Sequence, residues 1–157
     1  KKMSNLKYSG VFPVYKKKAA AQFTIIKIKT DDSGKILKEG SILLEVAPAV
    51  PNKDKAYDWT QKISFAISRA DIVNLFDNPR APKRLMHVPP SNSGTTKALE
   101  FVPGEGRYLG TYMMKIGENN KQQNVNKYYT VPLSAGEYYC MQSLMMGTLR
   151  YLIGWQF

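Results

Sequence analysis

Residues 11–30 read VFPVYKKKAAAQFTIIKIKT. Aromatic and β-branched residues are frequent in both halves of this stretch, which predicts two strands, Val11 to Lys18 and Ala21 to Thr30. Successive side chains of a strand point to opposite faces, so the second strand separates into two sets, Thr24, Ile26 and Ile28 against Phe23, Ile25, Lys27 and Lys29. The first strand likewise groups Phe12, Val14, Lys16 and Lys18. The stretch therefore predicts a sheet with one face suited to a core and one cationic face.

Positive charge is concentrated in the same region, where the first 29 residues contain eight lysines and no acidic residue. Lysines and aromatic rings are interleaved there, a mixture that suits polynucleotide binding, with Lys7, Lys16, Lys17, Lys18, Lys27 and Lys29 beside Tyr8, Phe12, Tyr15 and Phe23. The formal charge of +11 and a pI near 9.7 predict a polyanionic partner. The alternative interpretation is a solvated sheet edge that lysines protect from aggregation.

Composition indicates one folded domain over residues 1–157, with 43% hydrophobic and 22% charged residues. No apolar run approaches the roughly 20 residues that cross a bilayer. A membrane-surface role would require a basic amphipathic helix, which the sequence does not offer, so no membrane partner is expected. A single cysteine excludes an internal disulfide framework. The chain opens with Lys1-Lys2-Met3 and shows no signal peptide, so the sequence leaves open both an upstream targeting segment and the location.

The remaining pattern predicts six further strands and two helices. The strands are Ser41 to Ala47, Tyr57 to Ile67, Lys83 to Val88, Lys97 to Val102, Arg107 to Ile116 and Lys127 to Val131. A capping box at Ser68 opens a short helix that ends near Phe76, before Asn78-Pro79, and a second box at Ser134 opens a long helix to Trp155. The order ββββα-ββββα predicts an α+β fold.

The long helix is apolar around most of its circumference, and its charges are Glu137 and Arg150. One stripe consists of Tyr138, Met141, Met145, Leu149 and Leu152, and a second of Cys140, Leu144, Gly147 and Tyr151. Two arrangements would bury both stripes. The helix packs against another subunit, or two sheets of one chain enclose it.

No group of residues predicts catalysis or metal binding. His87 has no second histidine and no nearby serine and carboxylate pair, so we expect a structural or surface role. Cys140 is expected to be a buried apolar thiol. Asp31-Asp32 predicts a turn, and the glycines at Gly104, Gly106 and Gly110 predict a hairpin turn rather than a phosphate loop. The sequence therefore predicts a protein without enzymatic activity, cofactor or metal.

Four strings resemble motifs of one family. Val14 to Ala20 (VYKKKAA) resembles the VYKGKAA motif of the Whirly proteins, single-stranded nucleic-acid binders best known from plant organelles. Ser41 to Pro48 (SILLEVAP) resembles their strand ending in FAP, Tyr57 to Trp59 matches their YDW, and Tyr151 to Phe157 (YLIGWQF) is similar to their terminal PYLIGW segment. The strings occur in the family's order and span nearly the whole chain.

Two departures and the strong basicity favour a particular branch. Lys17 replaces the family's glycine, and Arg150 stands where plant members have proline. The chain is more similar to the kinetoplastid mitochondrial guide-RNA-binding proteins of this fold. That resemblance implies two roughly orthogonal four-stranded antiparallel sheets and a tetramer, built with a related paralogous subunit around a core of helices. It also implies a mitochondrial location.

The resemblance further implies that single-stranded RNA lies across outward sheet faces, held mainly through its phosphates and without strict sequence preference. The protein would then anneal guide RNA to pre-mRNA during RNA editing. The alternative is plant-Whirly-like single-stranded DNA binding in organelle genome maintenance or transcription. A third hypothesis, of another class, is a structural subunit whose basic face binds protein or membrane.

Nine residues are the predicted RNA contacts. Residue type and strand face select Lys16, Lys18, Lys27 and Lys29 for phosphates. Three basic residues on other strands extend the patch if strand order brings them together, namely Lys62, Arg107 and Lys115. Tyr15 and Phe23 stack on a base or pack internally.

Overall fold

The computed structural model describes residues 10–77, 83–89 and 94–155. Predictions for Lys7, Tyr8, Asn78-Pro79 and the end of the YLIGWQF string lie outside these residues. The described residues form β1 (Phe12–Tyr15), β2 (Ala19–Ile26), β3 (Lys29–Thr30), β4 (Ile36–Lys38), β5 (Ser41–Pro48), β6 (Ile63–Ile67), α1 (Arg69–Asp77), β7 (Lys83–His87), β8 (Thr96–Pro103), β9 (Tyr112–Asn120), β10 (Val125–Leu133) and α2 (Ala135–Leu152).

The first sheet is antiparallel, with the strand order β1-β2-β5-β6. Its ladders pair Phe23 with Leu44, and Leu44 in turn with Phe65. These three side chains are buried, as is Val14 on β1. Alternation along each strand thus gives this sheet one apolar inner face. The sequence predicts such a face, but Phe23 lies on it, whereas the pattern groups Phe23 with the lysines on the cationic face.

The second sheet is an antiparallel meander with the order β10-β9-β8-β7. Its inner face contributes Leu85, Leu99, Ile116 and Val131, which belong to the same buried cluster as the inner face of the first sheet. The two inner faces therefore share one hydrophobic core. The predicted α+β class and the two four-stranded antiparallel sheets are confirmed.

Two predicted strands begin later than expected. The segment from Tyr57 to Lys62 forms a single 3-10 turn (Trp59–Gln61) before β6, because the Asp58 carboxylate accepts a hydrogen bond from Thr60 N at 3.0 Å. Residues 107–111 likewise precede β9 rather than belong to it. Gly106 and Gly110, with φ of 57° and 83°, turn the chain there.

A small ribbon interrupts the predicted strand from Ala21 to Thr30. The last ladder pair of β2 joins Ile26 to Ser41, the first residue of β5, so residues beyond Ile26 have no partner in the sheet. The chain instead forms the β3–β4 ribbon around the predicted turn at Asp31. Lys29 thereby leaves the sheet on which its predicted role depends.

Both helices begin with the predicted capping interactions. Asp71 N donates to Ser68 Oγ at 3.2 Å, and Ser68 N donates to Asp71 Oδ2 at 2.9 Å. At the start of α2, Glu137 N donates to Ser134 Oγ at 3.1 Å and Ser134 N donates to Glu137 Oε2 at 2.8 Å. These bonds satisfy N–H groups that a helix end leaves without intrahelical partners.

One side of α2 packs on the core and the opposite side is exposed. Tyr138 stacks on Tyr112 of β9, with ring centroids 3.8 Å apart. Tyr139, Met146 and Tyr151 are exposed on the other side. The arrangement in which two sheets of one chain enclose the helix is therefore wrong. Packing against another subunit remains the prediction for this face.

Candidate nucleic-acid interface

The lysine triplet forms the turn between β1 and β2 rather than the end of a strand. β1 ends at Tyr15 and β2 starts at Ala19, and Lys16 N donates to the Ala19 carbonyl at 3.0 Å. Lys17 and Lys18 are exposed at this reversal. Strand alternation therefore does not assign these lysines to faces, and the predicted grouping of Lys16 and Lys18 on one face of a strand is wrong.

Lysine is compatible with position 17 on backbone grounds. Among the described residues, the non-glycine residues with positive φ are Asn52, Lys55 and Asn124. Lys17 does not adopt the left-handed conformation that favours glycine. The substitution at this position of the motif consequently adds a charge without imposing backbone strain.

A second loop, residues 49–59, faces the lysine turn. Ala19 of β2 is paired with Pro48 of β5, and directly beyond that pair Ala49 N donates to the Lys18 carbonyl at 2.9 Å. The loop presents Lys53 and Lys55, both exposed. Antiparallel pairing of β2 with β5 thus brings together two lysine-containing segments that are more than thirty residues apart in the sequence.

Together these segments line an open groove of about 1230 Å³. We call it the basic groove and define it by four exposed lysines and three aromatic residues, namely Lys17, Lys18, Lys53, Lys55, Tyr15, Tyr57 and Trp59. Lys16 and Asp54 also line it. An excess of cations over carboxylates makes the groove attractive to a polyanion.

Two aromatic residues of the basic groove are held in place by their contacts with each other and with the lysine turn. Tyr15 and Tyr57 stack with ring centroids 5.7 Å apart and 27° between the ring planes. The Tyr57 hydroxyl donates to the Lys16 carbonyl at 2.8 Å. Tyr15 nevertheless keeps 62% of its surface exposed. An exposed, positioned ring beside exposed lysines is the arrangement that stacks an unpaired base and neutralises its phosphate.

Lys16 differs from the other lysines of the turn because its ammonium already has a partner. Its Nζ lies 2.8 Å from Oε1 and 2.7 Å from Oε2 of Glu137, in the first turn of α2. Burial raises the pKa of Glu137, but hydrogen bonds from Lys16 and from Ser134 outweigh that effect, and the pKa lies below its ordinary value. Lys16 is therefore an internal counterion in this conformation.

Lys62 is similarly engaged, on the outer side of the first sheet. It pairs with Glu45, which also accepts a hydrogen bond from Gln22 Nε2 at 2.8 Å. Burial raises the pKa of Glu45, and the contacts with Lys62 and Gln22 lower it further than burial raises it. Lys62 thus compensates a largely buried carboxylate.

The remaining predicted contacts are dispersed over the molecule. Lys27 follows β2, whose eight residues separate it from the lysine turn by about 25 Å. Lys29 lies in the β3–β4 ribbon beyond it. Arg107 lies in the turn between β8 and β9, with its guanidinium 4.8 Å from the Tyr108 ring. Lys115 lies on β9 of the second sheet. The nine predicted residues do not form one continuous patch within the chain.

Phe23 is excluded as a base-stacking residue. Only 2% of its surface is exposed, and its ring packs against Phe12 at a centroid distance of 6.1 Å. It shares the core face of β2 with Ala19 and Ala21. The strand face that was predicted to carry Phe23, Ile25 and the lysines is therefore the core face over the first half of β2. Burial of apolar side chains decides which face of the strand points inward.

Sequence reasoning missed Lys53, Lys55, Tyr57 and Trp59 as members of the same site. The first two fall between the strands predicted at Ser41 to Ala47 and Tyr57 to Ile67, and the others fall within the second of these strands. Their proximity to the lysine turn depends on the pairing of β2 with β5. The available signal was the Lys53-Asp54-Lys55 cluster, which lies one residue before the YDW string.

No catalytic arrangement emerges from the other candidate residues. His87 Nε2 lies 3.1 Å from Asp71 Oδ2 and its ring stacks on Phe65, so it supports the start of α1. Cys140 is exposed on α2, contrary to the prediction of a buried thiol. Within residues 10–77, 83–89 and 94–155, no cluster of three or more His, Cys, Asp or Glu side chains could hold a metal ion. Neither helix in these residues is long and apolar enough to cross a membrane.

Comparison with known proteins identifies relatives along most of the chain. The family profile described as "Whirly transcription factor" matches residues 14–144. The single-stranded DNA-binding protein WHY3, chloroplastic, of Arabidopsis thaliana is 32% identical over 130 residues, 77% of this chain and 46% of the relative. WHY1, chloroplastic, of Zea mays is 30% identical over 156 residues, 92% and 56% respectively. WHY2, mitochondrial, of Arabidopsis thaliana is 28% identical, over 79% and 53%. The chain spans about half the length of these curated relatives.

Solved structures extend the comparison to the fold. The crystal structure of WHY1 from Arabidopsis thaliana superposes with a TM-score of 0.82 at 29% identity, covering 95% of this chain and 93% of that one. A guide-RNA-binding protein complex bound to a guide RNA matches with a TM-score of 0.54 at 11% identity, over 92% of each chain. The second match shows a shared fold alone, so the predicted kinetoplastid branch has weaker support than the plant relatives. By its sequence and its fold, the chain belongs to the Whirly family.

Proposed function

We propose that this chain binds single-stranded DNA in the basic groove, without enzymatic chemistry of its own. The observation that carries the proposal is the convergence on one open groove of four exposed lysines and the exposed Tyr15 ring, which is stacked on Tyr57. Relatives described as single-stranded DNA-binding proteins support DNA as the ligand.

The groove acts by neutralising phosphates and stacking bases. Each lysine that contacts a phosphate releases a condensed counterion, which favours binding at low salt. Tyr15 stacks on an unpaired base, and every base has a π face, so the contact does not depend on sequence. Since duplex bases already stack on each other, single strands are the preferred ligand. The expected activity is binding that depends strongly on salt and weakly on sequence.

The exposed face of α2 supports a multimer as the functional form. Three large apolar side chains, Tyr139, Met146 and Tyr151, lie on it beside Cys140 and Gly147. A tetramer with helices at its centre would cover this face, remove these groups from water and place several basic grooves on one particle. Whether the partners are identical or paralogous subunits is decided by the mass of the native complex.

An organellar location accompanies this proposal. The relatives include chloroplastic and mitochondrial proteins, which supports an organelle in general above the mitochondrion in particular.

RNA annealing is the second candidate function. The fold shared with a guide-RNA-binding complex and the charge of +11 favour it. Neutralising the phosphates of one strand lowers its repulsion of a complementary strand, and a strand held open exposes bases for pairing. An editing factor of this kind would accelerate duplex formation between complementary RNAs.

Fluorescence anisotropy distinguishes these possibilities. Equal-length single-stranded DNA, single-stranded RNA and duplex DNA are titrated with the native multimer over a range of salt. DNA binding predicts tighter association with the DNA single strand and a steep fall in affinity as salt rises. Preference for RNA together with faster annealing of complementary RNAs would support the second function. Weak binding of all three ligands with a flat salt dependence would refute both and favour a structural subunit.

A further inference from the structure

Each four-stranded sheet has two edge strands, and β7 differs from the other three edges. β1 and β10 contain Pro13 and Pro132, which lack the N–H group of an ordinary strand residue. On β6, the Ser64 carbonyl accepts a hydrogen bond from Lys97 Nζ at 2.7 Å. β7 contains no proline, and within the part of the chain that the structure describes its backbone pairs with β8 alone. One long side of β7 is therefore open to pairing with a further strand.

The outward side chains along β7 follow a distinct order. Leu85 is buried on the core side, so Arg84 and Met86 alternate on the outer side, and Val88, directly after the strand, continues the alternation. Met86 and Val88 are 48% and 68% exposed. The Arg84 side chain is 59% exposed. A strand added beside β7 would therefore meet one cation followed by two apolar side chains.

The charge along this edge is positive. Lys83 and Arg84 begin the strand. Of the five β8 residues in register with β7, Glu100 is the acidic one, and its Oε1 lies 3.4 Å from Arg84 Nε. Glu100 is also in register with Lys115 of β9, so one carboxylate faces two cations. Cations on an edge repel a second copy of the same edge and any basic segment, so the segment that this edge admits is acidic.

We propose that β7 is the docking edge for an extended, acidic segment of a partner protein, which adds an antiparallel strand to the second sheet. The segment places an acidic side chain opposite Arg84 and apolar side chains opposite Met86 and Val88. Backbone hydrogen bonds with the open edge supply affinity, and the side-chain pairs supply specificity. A peptide fits this edge better than a nucleic acid, because the edge presents both donors and acceptors whereas phosphates only accept. The inference goes beyond the proposed function and does not depend on it.

Fluorescence anisotropy of a labelled seven-residue peptide, Thr-Val-Thr-Val-Thr-Glu-Thr, titrated with the native multimer tests the docking edge. In antiparallel register its glutamate lies opposite Arg84 and its valines lie opposite Met86 and Val88. Alternate N–H groups of an extended peptide point to the same side, so methylating one alternate set of amides blocks pairing with β7 and methylating the other set does not. We expect the unmodified peptide and one methylated form to bind, and the other methylated form not to bind.

Charge reversal locates the peptide on this edge. Arg84→Glu is expected to weaken binding of the glutamate peptide about 5-fold and to strengthen binding of a peptide with lysine in place of glutamate. Lys115→Glu is the matched control, because it reverses a charge in register with the same Glu100 but on a central strand, and it is expected to change neither affinity.

Three outcomes would overturn the inference. Failure of the wild type to bind the unmodified peptide removes the docking edge. Equal effects of the two methylated sets would refute strand addition, because backbone pairing uses one side of the peptide. If Arg84→Glu weakens binding of single-stranded DNA but leaves the affinity for the peptide unchanged, the edge contacts nucleic acid instead of a protein segment.

Discussion

Neutralising the two exposed lysines of the β1–β2 turn tests the basic groove directly. Lys17→Gln and Lys18→Gln remove two charges at an exposed reversal and make no change in the core. Lys18 contributes its backbone carbonyl to the contact with Ala49, which glutamine preserves. The folded structure and its melting temperature are therefore expected to stay unchanged, so a loss of affinity reports on binding.

The size of the effect follows from counterion release. Each phosphate contact with a single strand contributes about 0.7 to the slope of log affinity against log salt, so the double variant flattens the slope by about 1.4. Relative to 1 M salt, each contact raises the affinity by about 0.7 log units at an ionic strength of about 0.1 M. Loss of both contacts is therefore expected to weaken binding roughly 25-fold.

Anisotropy titrations at several salt concentrations measure both quantities. Lys35→Gln with Lys121→Gln serves as a matched control, because it removes the same charge at exposed positions in other turns. An equal loss in the control would mean that net charge alone determines affinity. An unchanged slope in the Lys17 and Lys18 variant would refute the assignment of the groove.

Three further predictions concern single positions. Tyr15→Ala removes an exposed ring, so we expect about a 10-fold loss in affinity for single strands with little change in melting temperature, measured by titration and thermal denaturation. The pKa values of Glu45 and Glu137 are lowered in the folded state, so stability is fully present above the ordinary value of 4.5 and is lost as pH falls through the lower folded pKa values. Melting temperatures recorded against pH should fall in that acid range, and less steeply for Glu45→Gln or Glu137→Gln. Gly40→Ala places a Cβ 2.6 Å from a backbone carbonyl oxygen, so we expect a loss of about 1–3 kcal/mol in the free energy of unfolding, against almost none for Gly10→Ala, which meets no atom within 4 Å.

Regular alternation made much of the fold predictable. The strand predicted from Ser41 to Ala47 is observed as Ser41–Pro48, and both capping boxes open helices where predicted. Two of the failures, at the starts of predicted strands, have local causes. At Asp58 a side chain bonds to the backbone two residues on, and at Gly106 and Gly110 the backbone adopts positive φ. Local interactions there outweigh the strand preference of the neighbouring aromatic residues.

The site was harder to predict than the fold because it depends on which strands are neighbours. Residue type correctly marked the lysine turn as cationic, yet nothing local shows that residues 49–59 return to it. The sequence also does not show which lysines are paired with carboxylates in the folded chain. Lys16 is paired with a residue 121 positions away, and Lys62 with Glu45 on a neighbouring strand. Counting lysines overestimates the charge that is free to meet a phosphate.

Lys16 can become an additional phosphate contact if its ion pair with Glu137 opens. Glu137 also accepts the capping hydrogen bond from Ser134 N, and it lies in the first turn of α2, where the helix dipole favours a negative charge. If Lys16 swings towards a phosphate, the carboxylate that it leaves keeps the hydrogen bond from Ser134 N but loses the partner that lowers its pKa most. The groove can then bring five lysines to the phosphates instead of four. A slope of log affinity against log salt steeper than four phosphate contacts produce would indicate the fifth contact.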